Sequence, residues 1–184
     1  MTHPELTDRE CVRLSQAGER NAFDLLVRRY QGRLFRFILR LVNSHEEALE
    51  LTQDAFIKAW QALPDWRPEA EFRTWLFRIG SNLAMDCLRR RQVVEFVPID
   101  DDYDAPSGAA GPEAQLQTKQ RLQALEVALG RLPHDQREIV LLRDVEDMSY
   151  GEIGAVLGIN EGTVKSRLAR AREALIDYRR RTNA

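Results

Sequence analysis

The stretch SYGEIGAVLGINEGTVKSRLARAREAL, Ser149 to Leu175, decides the fold. Ser149 stands three residues before Glu152, the spacing of a reciprocal capping box, so a helix opens there. Ile153, Val156 and Leu157 give that helix one short apolar face, and Gly158 follows where a left-handed residue is wanted to end it. Asn160 is placed to cap a second helix, in which Val164, Leu168, Ala171 and Leu175 fall within a narrow arc at about 100° per residue. The reading is helix, tight turn, helix. The far side of the second helix carries Ser166, Ala169 and Arg170, flanked by Thr163, Lys165, Arg167 and Arg172. A short hydroxyl, a small residue and fork-shaped or flexible cations are the groups that meet base edges and phosphates in a major groove. A merely solvated amphipathic helix also carries such rows, but it has no need of the frame that precedes this one.

The chain of 184 residues holds 27 Lys and Arg against 29 Asp and Glu, a balance that would argue against nucleic acid if the charge were evenly spread. It is not. Residues 1–92 carry 15 basic and 13 acidic side chains, Val93 to Gln117 none against six, and residues 118–184 carry 12 against 10. Between Lys165 and Arg181 seven bases face two acids, so the local field is positive. The central VVEFVPIDDDYDAPSGAAGPEAQLQ mixes acids with Pro, Gly, Ser and Ala and has no helical period, which predicts a flexible acidic linker at 93–117. Alternating β-branched runs between turn dipeptides are missing. The expected class is therefore all-α, with two small helical domains at 1–92 and 118–184, the second a helix-turn-helix.

In the first domain Thr7 precedes Glu10 and Ser44 precedes Glu47 at capping-box spacing. Three apolar stripes at three- and four-residue steps are expected to form its core. They are Phe23, Leu26, Val27, Tyr30, Leu34, Phe37, Ile38 and Leu41; then Ala48, Thr52, Ala55, Phe56 and Ala59; then Phe72, Leu76, Ile79 and Leu83. If the third stripe faces inward, Thr74, Phe77, Arg78, Ser81, Met85, Leu88 and Arg89 face out, with Trp75 and Asn82 on one flank. Apolar and aromatic groups beside arginines fit unpaired bases and phosphates of single-stranded DNA; packing of Phe77 and Leu88 on a neighbouring helix is the alternative. Just upstream, Pro64 and Pro68 hold Trp66 in a short loop, either a plain hydrophobic plug or a receiver for an everted base. Glu50, Leu51, Gln53 and Asp54 lie outside the second stripe, an apolar residue among acids and amides that suits docking of another protein's basic helix.

Other classes find no support. Cys11 and Cys87 form no CxxC pair, so neither a disulfide framework nor a metal site is expected. The three histidines at 3, 45 and 134 are scattered, His45-Glu-Glu is not followed by a histidine at metalloprotease spacing, and no Gly-rich loop ends in Gly-Lys-Ser/Thr. No catalytic residue, metal or cofactor is assigned and an enzyme is not expected. The chain has no apolar run of bilayer length and MTHPELTDRE lacks a secretory pattern, which makes the cytoplasm the expected compartment.

Taken in order, AFDLLVRRYQGRLFRFILRLV, EEALELTQDAFIKAW, FRTWLFRIGSNLAMDCLRR and LGRLPHDQREIVLLRDVEDMSYGEIGAVLGINEGTVKSRLARAREAL resemble the bacterial RNA polymerase sigma factors of the extracytoplasmic-function group over almost the whole chain. The resemblance implies a first domain that docks on core RNA polymerase and melts the minus-ten element, and a second that reads the duplex minus-thirty-five element. By position it puts polymerase docking on Glu50, Leu51 and Gln53, to which the exposed face read above adds Asp54. Minus-ten contacts fall on the loop around Trp66 and on Asn82, with Arg78, Arg89 and Arg90 near the phosphates, and minus-thirty-five contacts on Lys165, Ser166 and Arg170; the helical faces read above add Trp75 to the first set and Thr163, Arg167 and Ala169 to the second. It also implies an anti-sigma partner that holds the factor inactive until a stress signal. Gly80 stands where alanine is common in the family, at a cost of up to ~1 kcal/mol of helix stability. From the residues alone, a stand-alone helix-turn-helix regulator remains the rival reading.

Overall fold

The computed structural model describes residues 6–91 and 123–182, which form helices and no strand. The expected linker at 93–117 lies outside them. Four helices make the N-terminal group: α1 (Asp8–Gln16), α2 (Arg20–Val42), α3 (His45–Ala62) and α4 (Phe72–Arg90), with a 3-10 turn at Leu63–Asp65. The C-terminal group has α5 (residues 123–130), α6 (His134–Val140), a wider π-type turn at Leu141–Val145, α7 (Tyr150–Leu157) and α8 (Glu161–Thr182).

The punctuation explains the boundaries. Thr7/Glu10 and Ser149/Glu152 form complete capping boxes at α1 and α7, each satisfying two of the amide groups that a helix start leaves open. At α3 the box is half made: Ser44 accepts from the Glu47 N–H, while the Glu47 carboxylate turns to Arg91 just beyond α4. α2 ends at Asn43 and α7 at Gly158, both left-handed, with φ of 53° and 67°.

The α2 and α3 stripes face inward as expected; Leu26, Leu34, Ile38, Ala48, Ala55 and Ala59 are fully buried. α4 differs from the single-stripe expectation. Ile79 and Leu83 are only half-buried, whereas Thr74 is 2%, Phe77 0% and Ser81 3% exposed. The cause is that α4 has neighbours on two sides. Phe77 packs on Phe37 of α2, ring centroids 5.2 Å apart, and Thr74 and Ser81 meet glutamates of the C-terminal group. A helix packed on two sides has no single apolar stripe to read. Gly80 is also explained: a Cβ there would stand 2.7 Å from Leu34 Cδ1, so the glycine permits the close approach of α2 and α4.

One buried apolar cluster runs through both groups of helices. Around it the boundary is polar, and three ion pairs across it share one sense, with the cation on the N-terminal side and the acid on the C-terminal side. Arg33 pairs with Glu146 at 2.8 Å, Arg40 with Glu126 at 2.8 Å and Arg73 with Glu152 at 2.9 Å. The Ser81 hydroxyl donates to Glu138 at 2.5 Å. The buried Arg137 guanidinium donates to the Arg40 and Leu41 carbonyls at the end of α2 and to three carbonyls of its own group, Leu129, Gly130 and Leu132.

Candidate nucleic-acid and protein interfaces

α8 is mounted by Val164, Leu168 and Ala171, all at most 2% exposed, and aligned by Asn160, whose Oδ1 accepts from the Thr163 N–H at 2.8 Å. Gly154 lets the turn close: a Cβ there would stand 2.7 Å from the Ile159 carbonyl oxygen. The outward strip then presents Lys165, Ser166, Ala169 and Arg170 to solvent. Ser166 Oγ donates to the Thr163 carbonyl at 3.1 Å and Arg170 Nε to the Ser166 carbonyl at 3.3 Å, so both lie along the helix surface. Thr163 and Arg167 are half-buried; Thr163 Oγ1 donates to Asn160, and Arg167 lies 3.9 Å from Asp135. Arg172, on the flank, is held by Asp144 at 2.5 Å. Sequence reading missed Tyr150, the first residue of α7, whose ring has the Lys165 ammonium 5.6 Å and the Arg143 guanidinium 5.5 Å from its centroid. Such cation–π contact restrains two flexible cations at the edge of the strip. The aromatic at position one of a predicted helix beside a basic helix was the available signal.

In the N-terminal group, Trp66 and Trp75 are half-buried and stacked, centroids 4.8 Å apart at 24°, with Phe72 edge-on to both. Arg78, Asn82, Arg89 and Arg90 are exposed on α4; Arg89 lies 3.3 Å from Asp86, and Arg90 Nε donates to the Asp86 carbonyl. The structure thus gathers Trp66 and Trp75 into one aromatic platform and leaves the four polar residues open along the helix.

On α3, Glu50, Gln53 and Asp54 are exposed, but Leu51 is 8% exposed and faces the core. This corrects the expectation of an exposed leucine. Leu51 stands three residues after Ala48 and four before Ala55, so it belongs to the buried arc. The apolar residues open beside the acids are Leu49, 48% exposed, and Ile57, 53% exposed, with Trp60 at 36%. Ile57 follows Glu50 by seven residues and was legible as the next outward position on the same face.

Among the described residues no cluster of His, Cys, Asp and Glu could hold a metal ion, and no helix is long and apolar enough to cross a membrane.

A cationic second helix on a buried helix-turn-helix frame, carried by a larger helical body with an acidic and apolar outer face, defines a DNA-reading protein that also offers a protein-docking surface. Residues 26–93 match the family described as Sigma-70 region 2, and residues 122–175 match Sigma-70, region 4. The chain belongs to the sigma-70 family of RNA polymerase sigma factors, in its extracytoplasmic-function (ECF) group. It is 35% identical over 91% of its length to the RNA polymerase sigma-H factor of Pseudomonas aeruginosa, of which it covers 91%. It is 36% identical to the ECF RNA polymerase sigma-E factor of Escherichia coli K12, over 93% of each chain. It is 40% identical over 85% of its length to the ECF sigma factor SigE of Mycolicibacterium smegmatis, of whose length it spans 61%. Among solved structures it is similar to CnrH in complex with the cytosolic domain of CnrY, with a TM-score of 0.69 at 30% identity over 92% of this chain and 95% of that one. It is equally similar, at a TM-score of 0.69 and 28% identity over 86% of this chain and 96% of the other, to the sigma factor RpoE of Bartonella quintana solved with the anti-sigma factor NepR.

Proposed function

We propose that residues 1–92 and 118–184 act as two domains joined through the acidic segment 93–117, the first docking on core RNA polymerase and reading the minus-ten element, the second reading the minus-thirty-five element. The observation that carries this is that one chain combines the open Lys165/Ser166/Arg170 strip of α8 with the open Glu50/Gln53/Asp54/Ile57 face of α3. A regulator acting without polymerase has no use for the second surface.

In this reading α8 enters the major groove, where Lys165 takes a phosphate and Ser166 and Arg170 meet base edges. The Trp66/Trp75 platform stacks an unpaired minus-ten base, Asn82 reads its edge, and Arg78, Arg89 and Arg90 neutralise the strand's phosphates. Capture of the extruded base offsets a few kcal/mol of unstacking, so strand opening favours promoters that carry the right letter. Core polymerase supplies the catalysis; this chain is non-enzymatic and works in the cytoplasm, without metal or cofactor.

The helices are packed in a closed arrangement. Thr74 and Ser81, neighbours of the minus-ten residues on α4, are covered by the C-terminal group. The two structural neighbours were both solved with protein partners, one of them an anti-sigma factor, and the similarity spans both helical groups. These points support a closed, silent form that an anti-sigma protein holds and that polymerase opens.

The test is co-elution of the purified chain with sigma-free core polymerase, beside a Glu50→Lys/Ile57→Asp variant. Wild-type co-elution lost in the variant is the expected result. A folded wild-type chain that binds promoter DNA but never core polymerase would sink the proposal and leave a stand-alone regulator.

A further inference from the structure

We propose that Gln16, the last residue of α1, is a positioning residue for the Trp66 loop and thereby for the letter preference at the minus-ten element. The proposal rests on the reading of that loop given above. Gln16 is not among the residues assigned to DNA contact; it acts through the backbone of the loop that carries Trp66.

The side-chain amide of Gln16 donates to two carbonyls at once, Leu63 and Trp66, each at 2.9 Å. They bracket the 3-10 turn Leu63–Asp65, and the Leu63 carbonyl also accepts the Trp66 N–H at 3.2 Å. A primary amide has two N–H groups, and both are spent on fixing one turn. The grip spans 47 and 50 residues of sequence, so it ties the loop to a separate element rather than to itself.

α1 is able to bear that load. Its start is locked by the Thr7/Glu10 box, Cys11 and Val12 are buried, and the Asp8 carboxylate accepts from Arg29 at 2.7 Å and from Tyr30 on α2. Gly18, at φ 97°, turns the chain directly after the helix and leaves Gln16 at its open end. The loop's other polar tie to α1, Arg9 with Glu71, is 82% and 55% exposed and contributes little. On its far side the loop is met by the indole of Trp75 stacked on Trp66. Gln16 therefore fixes the backbone of the residue whose ring Trp75 receives. Between α1 and the loop lies a cleft of ≈ 650 Å³ lined by Asp8, Arg9, Val12, Gln16, Trp66 and Phe72.

Letter preference depends on a rigid reader. A turn released from Gln16 still offers aromatic surface to any base, because every base has a face to stack, but it no longer holds one geometry that favours one base. Loss of the amide is thus expected to level the preference between letters while leaving general affinity in place.

The experiment reconstitutes full-length wild-type, Gln16→Leu, Gln16→Glu and Gln16→Lys proteins into holoenzyme. Open-complex formation is measured on promoters carrying each of the four letters at each minus-ten position, with upstream-element variants as the control. Leu removes both donors, Glu keeps the shape but sets a carboxylate against two carbonyls, and Lys restores donors to the same oxygens. The ratio between best and worst letter is expected to fall about fivefold to tenfold in the Leu and Glu proteins, as loss of hydrogen bonds of ordinary worth implies. It is expected to recover in the Lys protein, with upstream preference and polymerase co-elution unchanged throughout. Unaltered letter ratios in Leu and Glu overturn the proposal. So does an equal fall on all letters, which marks a merely structural role. Melting curves identify a variant that fails to fold, and the remaining donor-free variant then decides. A wild-type holoenzyme indifferent to every minus-ten letter overturns the reading of the loop itself, an outcome seen before any variant is compared.

Discussion

Glu138 sits 5% exposed beneath α4, hydrogen-bonded by Ser81. Burial pushes its carboxyl up to about 7, against the lowering effects of the Ser81 hydroxyl and Arg167 and with a further push from Asp135. A carboxyl whose value is raised in the closed form and ordinary in the open form makes closure bind a proton. Its contribution to closure is complete below the ordinary value of 4.5 and is lost as the pH rises through about 7. Glu146, also pushed up by burial against Arg33, adds in the same direction. Glu152 lies below its ordinary value, burial raising it while the Ser149 N–H and hydroxyl of its own helix and Arg73 lower it, and of these lowering contacts only Arg73 lies across the boundary and opposes the other two glutamates. Fluorescence transfer between dyes on α3 and α8 is expected to show the chain opening between about pH 5 and pH 7, with Glu138→Gln flattening that response. A second residue-scale prediction concerns Gly154. A methyl group there meets backbone rather than a flexible side chain, so Gly154→Ala is expected to cost about 2 kcal/mol in thermal melts, despite alanine's better helix propensity.

Among the elements, α8 was the most legible and α4 the least. α8 has one neighbouring surface and a free one, so the angular spacing of Val164, Leu168 and Ala171 alone placed Lys165, Ser166 and Arg170 outward. α4 runs between α2 and the C-terminal helices, and no helical wheel drawn from residues 72–90 contains the glutamates that bury Thr74 and Ser81. Leu51 shows a different limit: its place on the buried arc was written in its spacing from Ala48 and Ala55, but its position among acids suggested the surface. Gln16 was silent because nothing local marks a glutamine that grips carbonyls far along the chain. The division of labour on α8 has its own test. Lys165→Ala is expected to weaken binding to all upstream sequences alike and to lower the slope of log affinity against log salt by about one unit. Ser166→Ala and Arg170→Ala are expected instead to change which upstream sequence is preferred, read by competition among labelled duplexes, with about 1–3 kcal/mol of discrimination lost for Arg170.

At the scale of the molecule, closure depends on cations from one group of helices meeting acids from the other. Arg73–Glu152 and Arg33–Glu146 are each partly shielded from water, so they resist salt better than a surface pair would but not entirely. Arg73→Glu is expected to open the chain, seen as a larger radius in small-angle scattering, and Arg73→Glu/Glu152→Arg to close it again. Recovery in the double variant separates the pair from any effect of Arg73 on α4 itself. The same ion pair also sets a population. In the closed-form reading proposed above, only molecules that have released Arg73 from Glu152 engage polymerase and both promoter elements, and the measured affinity for polymerase is then the intrinsic one scaled by that fraction. A substitution at Arg73, on a surface that the docking face of α3 does not include, then tightens the apparent grip on polymerase without adding a contact to it. In that reading the boundary between the two helical groups is a gain control: the strength of its ion pairs and its proton occupancy set how many molecules compete for polymerase.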